Sequence, residues 1–494
     1  MTVSLASRSD FNLENYERVA WLGEFTELTS AAKNRICDAR LAFIEFVRVN
    51  PKVRVYGANT RVGPGAANIL EAAELTHFAQ RRPGAAGVSF GEPLPLRVVR
   101  GILFSRLANY IEGNSAITLP LAEAVASMLD GRPLPAVPAF GNGAAGEINA
   151  LAHLFHDLSG TLEMGPKDNS ALTNGAPCAS ALVADAVLVA RRRLDLSHKV
   201  FALAVDAFKA PLEHYDPVLG ECWGNPHDKM ALQALAPYLR DAASDRRDYQ
   251  APVSFRIMPR ILGQAHQALQ QAEQTAGWSL PSITDNPTYL PPDTAGVSAS
   301  TYPHGRILHT GGFHNAAAYT AMDALAGASA DLVLIADRLT AKTLDGDVSG
   351  LPHGLRGAAM DDVVRYLPGA VVAFGEQARR AAQRNFLPAS GEYAATGQSD
   401  VAVPTFSAWR SQREAGRCLD CALAVLAVTA LQALEVTHRA PPSPLQALCD
   451  QIRCAVPAID AARVLGPDLH ILADEFSKDV EPDHSPTDFA VGNH

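Results

Sequence analysis

Apolar residues recur along this chain at three- and four-residue spacing, in long runs. Segments near 66–80, 97–113, 119–129, 145–157, 177–193, 260–275, 314–342, 370–384 and 408–438 combine Ala, Leu, Val and Arg with that periodicity, so each predicts a helix. In the two longest, 314–342 and 408–438, apolar positions spread round much of the helix, as expected where neighbours bury several faces. Alternating strand patterns are sparse. The expectation is a mainly α fold, a long-helix bundle, divided into a loop-rich helical region at 1–190, a central and C-terminal bundle at 191–477 and a flexible tail at 478–494. Residues 1–15 and 478–494 are polar without a periodic pattern, and both ends are expected to be mobile.

Composition agrees with a buried interior: 48% of the 494 residues are hydrophobic and 19% charged, an ordinary globular balance. A formal net charge of -10 leaves no broad basic face for phosphates, which argues against nucleic acid as a partner. The N-terminus has no apolar core of signal-peptide length, and no run reaches roughly 20 consecutive apolar residues. The sequence reads as soluble and cytoplasmic, with no membrane partner and a small molecule or another subunit as its expected contact. Of seven cysteines, only Cys418 and Cys421 stand close together. They lie in the apolar, helix-forming "RCLDCALAVLAV", which reads as two small residues one turn apart on a packed helix rather than a redox or zinc motif. His309 and His314 in "HTGGFHN" lack a carboxylate or thiolate at ligand spacing, and no Gly-rich loop follows a strand to cradle phosphate. Neither a metal nor a nucleotide cofactor is expected.

Gly-, Pro- and Asn-rich loops between the helices are where chemistry would be displayed. In order they read "YGANTRVGPG" from Tyr56, "GAAGEINALAH" across Ala144, Ala145 and Gly146, "LTNGAPC" at Asn174, "PVSFRIMPRILG" at Arg256, "SITDNP" at Asn286, "GGFHN" at Phe313 and "ATGQSDVAV" through Asp400. This series resembles, in the same order and over nearly the whole chain, the loops of the aromatic amino acid ammonia-lyases, the family of histidine and phenylalanine ammonia-lyases. The resemblance implies the helical fold of the ammonia-lyase and fumarase type, a homotetramer whose active sites take loops from more than one subunit, and an aromatic amino acid or betaine as substrate. Arg256 and Tyr56 would then meet only across an interface.

Departures from the family pattern bear on function. The family's Ala-Ser-Gly tripeptide cyclises and loses water from its serine to give a methylidene-imidazolone, the electrophile that captures the substrate amine. Ala145 has no hydroxyl to lose, so no such cofactor is expected. Val253 stands where a second active-site tyrosine would be, Gly312 where an Asn precedes the Phe-His pair, Arg61 where the tyrosine loop has a glycine, and Ser399 where a glutamate follows the last loop's glutamine. The segment "QRRPGAAGV" lacks the histidine with which histidine ammonia-lyases help hold the imidazole ring. Three readings fit. One is a lyase engineered from serine to alanine at position 145, and another is an inactive scaffold. The third, ranked first because Tyr56, Asn174, Arg256, Asn286 and Phe313 remain, is a carbon–nitrogen lyase that needs no electrophile. A trimethylammonium group cannot add to one and departs as a neutral amine. Ergothionase, a member of the family without the prosthetic group, is the pattern for such elimination from ergothioneine; hercynine is a close variant.

The resemblance makes Tyr56 the candidate general base. A phenol with an ordinary pKa near 10 needs a cationic neighbour to act at neutral pH, and Arg61 is the candidate in the same loop. Arg256 is the candidate carboxylate clamp, its planar fork matching two oxygens. Phe313, Glu392, Tyr393 and Asp400 are candidates for holding the substrate's permanent cation. Asn174 and Asn286 are placed near the substrate or the unmodified loop, which Asn142, Glu147 and Asn149 decorate. His153 and His156 read as packing residues.

Overall fold

Five helices, Pro177–Ala207, Val253–Ser279, Ala316–Leu344, Leu367–Ala381 and Thr405–Val436, pack on one another and enclose the core. In this computed structural model residues 2–292, 294–356, 364–391, 397–459 and 463–481 are described. Local chemistry sets the helix starts. Pro177 and Pro226 occupy first-turn positions where a missing N–H costs nothing, and Asn315 caps its helix by accepting from the Ala318 amide at 3.2 Å.

Three helices, those ending at Ala207, Leu344 and Val436, are long and apolar enough to cross a bilayer by length and composition. Within the fold 94%, 61% and 83% of their apolar windows are buried, so their apolar residues face neighbouring helices. Cys418 and Cys421 lie one turn apart on the Thr405–Val436 helix as free thiols.

Several boundaries move. The 66–80 helix begins only at Ala72, the 177–193 helix runs on to Ala207, through residue 190, and the 260–275 helix starts at Val253. Helices at Ser30–Val49, Pro226–Leu239, Gln446–Ala455 and Gly466–Val480 had no prediction; each mixes its apolar stripe with many polar residues. The ends also differ from expectation. Thr2–Leu5 pairs in parallel with Phe25–Leu28, and Val3, Leu5 and Phe11 are buried, so this end is anchored rather than loose. At the other end Gly466–Val480 packs on the bundle and Glu481 joins a buried ion network; the tail from 482 lies outside the described residues.

That network fixes the bundle's interior. Arg97 pairs with Asp185 at 2.7 Å and Arg193 with Asp420 at 2.8 Å, and both arginines reach Glu481 at 3.3 Å. Arg413 adds a third contact to Glu481 at 2.7 Å. Burial alone would raise the Glu481 carboxyl; Arg413, Arg193 and Arg97 outweigh it and hold it at about 2.

Candidate active site

Tyr56 sits in a loop closed by hydrogen bonds from two distant parts of the chain. Its amide donates to His309 Nε2 at 3.2 Å. The next carbonyl, Gly57 O, accepts from the Lys167 amide at 3.2 Å. Gly57 has φ +68°, and a Cβ there would stand 2.5 Å from Ser170 Cβ, so only glycine lets the loop lie this close to the Asp168–Thr173 turn.

Behind the loop is a charge pair with no water contact. Lys167 Nζ donates to Asp285 Oδ2 at 2.7 Å, and both side chains are fully buried. Burial lowers the Lys167 ammonium, with Asp285 opposing, and burial together with Lys167 keeps the His309 imidazole below its ordinary range. Asp285 Oδ1 accepts from the Asn286 amide at 2.8 Å, and Asn286 Oδ1 accepts from the Thr310 amide at 2.9 Å. Thr310 Oγ1 takes the Gly312 amide at 2.8 Å, which fixes the backbone just before Phe313. A Cβ on Gly146 would stand 3.2 Å from Phe313 Cδ2, so that ring rests on the degenerate loop.

The degenerate loop is held from several sides. Ala144 is buried and its amide donates to Asn149 Oδ1 at 3.2 Å. Gly391 donates to Gly143 O at 2.9 Å. Gly146 takes φ +82°. Glu147 follows, buried, and its two carboxylate oxygens accept the Cys178 and Ala179 amides at 2.6 Å each. It thereby fills the anion position at the start of the Pro177–Ala207 helix. Burial pushes its carboxyl up to about 7, although those two amides pull the other way.

Asn174 ends the Asp168–Thr173 turn, its Nδ2 donating to Ser170 O at 3.0 Å and its carbonyl accepting from Arg106. The Arg106 side chain is completely buried, and a Cβ on Gly175 would stand 2.9 Å from its Nη2. Tyr56, Asn174, Asn286, Phe313 and Ala144–Gly146 thus belong to one connected region of a single chain.

Other candidates lie elsewhere. Arg61 is exposed and pairs with Glu74 at 2.8 Å, and the buried cation behind the Tyr56 loop is Lys167 instead. Arg256, in the first turn of its helix, donates from Nε to Ala251 O at 3.0 Å and its charge lowers His214 after burial has done so. Val253 on the same turn is exposed. Asp400 is exposed, its carbonyl accepting from the Ser390 amide at 3.1 Å. Glu392 and Tyr393 lie outside the described residues. His153 and His156 pack under the Pro83–Ala86 turn, and His156 Nδ1 would be 2.6 Å from a Cβ on Gly84. A side chain at Gly84, within the segment lacking the family's histidine, has no room there. Lys167, Asp285 and Arg106 were missed from sequence. The only signal for Arg106 was a third arginine, with Arg97 and Arg100, inside the apolar "LRVVRGILFSRLA"; Lys167 and Asp285 stand alone in their loops.

Beside the Tyr56 loop lies a cavity of about 180 Å³. It is bounded by Gly57 and Val62 of that loop, the Pro83–Ala86 turn, Ile148, and Asn169, Ser170 and Thr173 from the turn that leads to Asn174.

The family description "Aromatic amino acid lyase" matches residues 11–164 and 160–454. Histidine ammonia-lyase of Deinococcus radiodurans is 27% identical, over 94% of this chain and 92% of its own. Among solved structures, ergothionase from Treponema denticola, an ergothioneine-degrading enzyme, superposes with a TM-score of 0.84 at 17% identity, covering 97% of this chain and 99% of that one. Phenylalanine aminomutase of Pantoea agglomerans superposes equally well, TM-score 0.84 at 19% identity, covering 97% and 99%. At such identities the two structures speak for the fold.

Proposed function

Because the chain belongs to the aromatic amino acid lyase family, and is by that membership a carbon–nitrogen lyase, we propose that it eliminates an amine without a methylidene-imidazolone group, releasing trimethylamine from an aromatic betaine such as ergothioneine or hercynine. The observation that carries this reading is Ala145. The residues present do not fit the family's prosthetic group, since dehydration needs a side-chain oxygen at 145, while the loop around it keeps its support from Asn149, Phe313 and Gly391.

The elimination balances without an electrophile. Tyr56, as phenolate, takes the β-proton; that C–H pair becomes the Cα=Cβ bond, and the C–N pair leaves on nitrogen as neutral trimethylamine. The product is an aryl acrylate. His309 accepts from the Tyr56 amide and the Lys167 amide donates to Gly57 O, which holds the loop in place. Arg256, half-buried in the first turn of its helix, takes the substrate carboxylate from a neighbouring subunit of a homotetramer.

The test is a panel of aromatic amino acids and their trimethylated betaines, followed by acrylate absorbance and by assay of the amine released. Betaines should be consumed and primary amino acids left intact. Turnover of neither would indicate an inactive scaffold. Ammonia release at ordinary lyase rates by Ala145→Ser, with no betaine turnover in the parent, would indicate a lyase disabled at one position.

A further inference from the structure

His198 and His266 meet between the Pro177–Ala207 and Val253–Ser279 helices, their Nε2 atoms 3.2 Å apart and their ring centres 5.1 Å apart. Two imidazole nitrogens bound at about 2.0–2.1 Å to one tetrahedral ion stand roughly 3.3 Å apart, and their ring centres, each roughly 1.1 Å behind its nitrogen, stand roughly 5.2 Å apart. Both separations match. A straight N–H···N hydrogen bond of the same length would put the centres roughly 5.5 Å apart, so the two rings are bent toward a common point beside the line between them.

The His198 side is prepared for a metal. His198 is buried and hydrogen-bonds the Leu194 backbone one turn earlier. With Nε2 turned to His266, the nitrogen that donates to the Leu194 carbonyl is Nδ1, and the lone pair is fixed on Nε2, as in metal-bound imidazoles. Without a metal, His266 Nε2 is then the donor between the rings; an ion takes that place when the His266 proton moves to its Nδ1, with no net proton released. Burial keeps both rings uncharged near neutral pH, at about 3 for His198 and about 4 for His266, and Asp195, one turn before His198, supplies negative charge beside them. His266 is half-buried, and among the described residues no third histidine, cysteine or acidic side chain joins the pair, so water fills the remaining positions.

We propose that His198 and His266 form a site for one divalent transition-metal ion of the kind that imidazole favours, such as Zn²⁺, and that the ion clamps these two helices together. The ligands are 68 positions apart, beyond any sequence motif. The clamp joins the helix whose first amides hold Glu147 to the helix whose first turn carries Arg256. It is independent of the betaine-lyase reading and measurable without turnover.

The test uses the full-length protein, dialysed against a chelator, titrated with ZnCl₂ in a calorimeter and melted with and without the metal. One Zn²⁺ should bind per chain and raise the melting temperature, as a ligand of the folded state does, while Mg²⁺, which prefers oxygen ligands, should do neither. His198→Gln and His266→Gln should each weaken Zn²⁺ binding at least about 10-fold and abolish the rise. Cys222→Ser with Cys454→Ser, which removes two exposed thiols, should leave both intact. Cu²⁺ bound to the parent should show hyperfine coupling to two nitrogens in electron paramagnetic resonance, a readout that needs no variant to fold. No saturable Zn²⁺ binding by the parent, binding unchanged in both histidine variants, loss of binding with the two cysteines, or a Cu²⁺ spectrum without two nitrogens would overturn the site.

Discussion

One oxygen separates Ala145 from serine, and it determines whether the loop can dehydrate. The intact protein should therefore have the mass of its translated sequence, and a peptide map should show an open backbone through Ala144, Ala145 and Gly146; a loss of one water there would refute the proposed chemistry. Tyr56→Phe removes a second oxygen. Because the Gly57 carbonyl and the Tyr56 amide tie the loop to Lys167 and His309, fold should persist while betaine turnover drops roughly 10²–10⁴-fold, checked by circular dichroism and steady-state kinetics. At this scale the sequence was informative where a loop motif names its residue, as for Tyr56, Asn174 and Phe313. It was silent where partners meet only in space. Lys167 and Asp285 are 118 positions apart, and nothing in either loop announces the other. Arg61 shows the same limit, since its partner Glu74 comes from the following helix and nothing in the loop announces it.

Between helices, the legible quantity was the apolar stripe and the illegible one was the polar contact across it. His198 and His266 show this: they face each other from the Pro177–Ala207 and Val253–Ser279 helices with Nε2 atoms 3.2 Å apart. Burial lowers His198 to about 3, with His266 adding to it and Asp195 opposing; burial, then His227, lowers His266 to about 4. Unfolded histidines titrate near 6.5. Between about 6.5 and 4 the unfolded chain therefore takes up more protons than the folded one, and this pair's contribution, present above that window, is lost as pH falls through it. Glu147 acts in the opposite sense, since its raised carboxyl favours folding at low pH and loses that advantage as pH rises from about 4.3 to about 7. Melting curves of the parent and of His266→Gln across pH 4–7 should differ in slope, the variant being less sensitive to acid; parallel curves would contradict the assignment.

Over the whole molecule, the helical bundle was readable because its long apolar helices carry their own signal, and the C-terminal closure was not, because "DEFSKDVEPD" looks like a solvated end. The structure instead inserts Glu481 between Arg97, Arg193 and Arg413. Removing one member of a buried ion pair costs about 3–5 kcal/mol. Glu481→Ala should lower the melting temperature clearly in a thermal-denaturation scan, and an unchanged melting temperature would refute the network's role. Held at about 2, the Glu481 carboxyl contributes above the unfolded value near 4.3, and that contribution is lost as pH falls through about 2. The same contact orders the life of the protein in time. Arg97 and Glu481 are 384 positions apart, and at roughly 5–20 residues per second the ribosome needs about 20–80 s to pass from one to the other. Through that interval Arg97 has no Glu481 carboxylate to meet, so this contact can close only after residue 481 has been made.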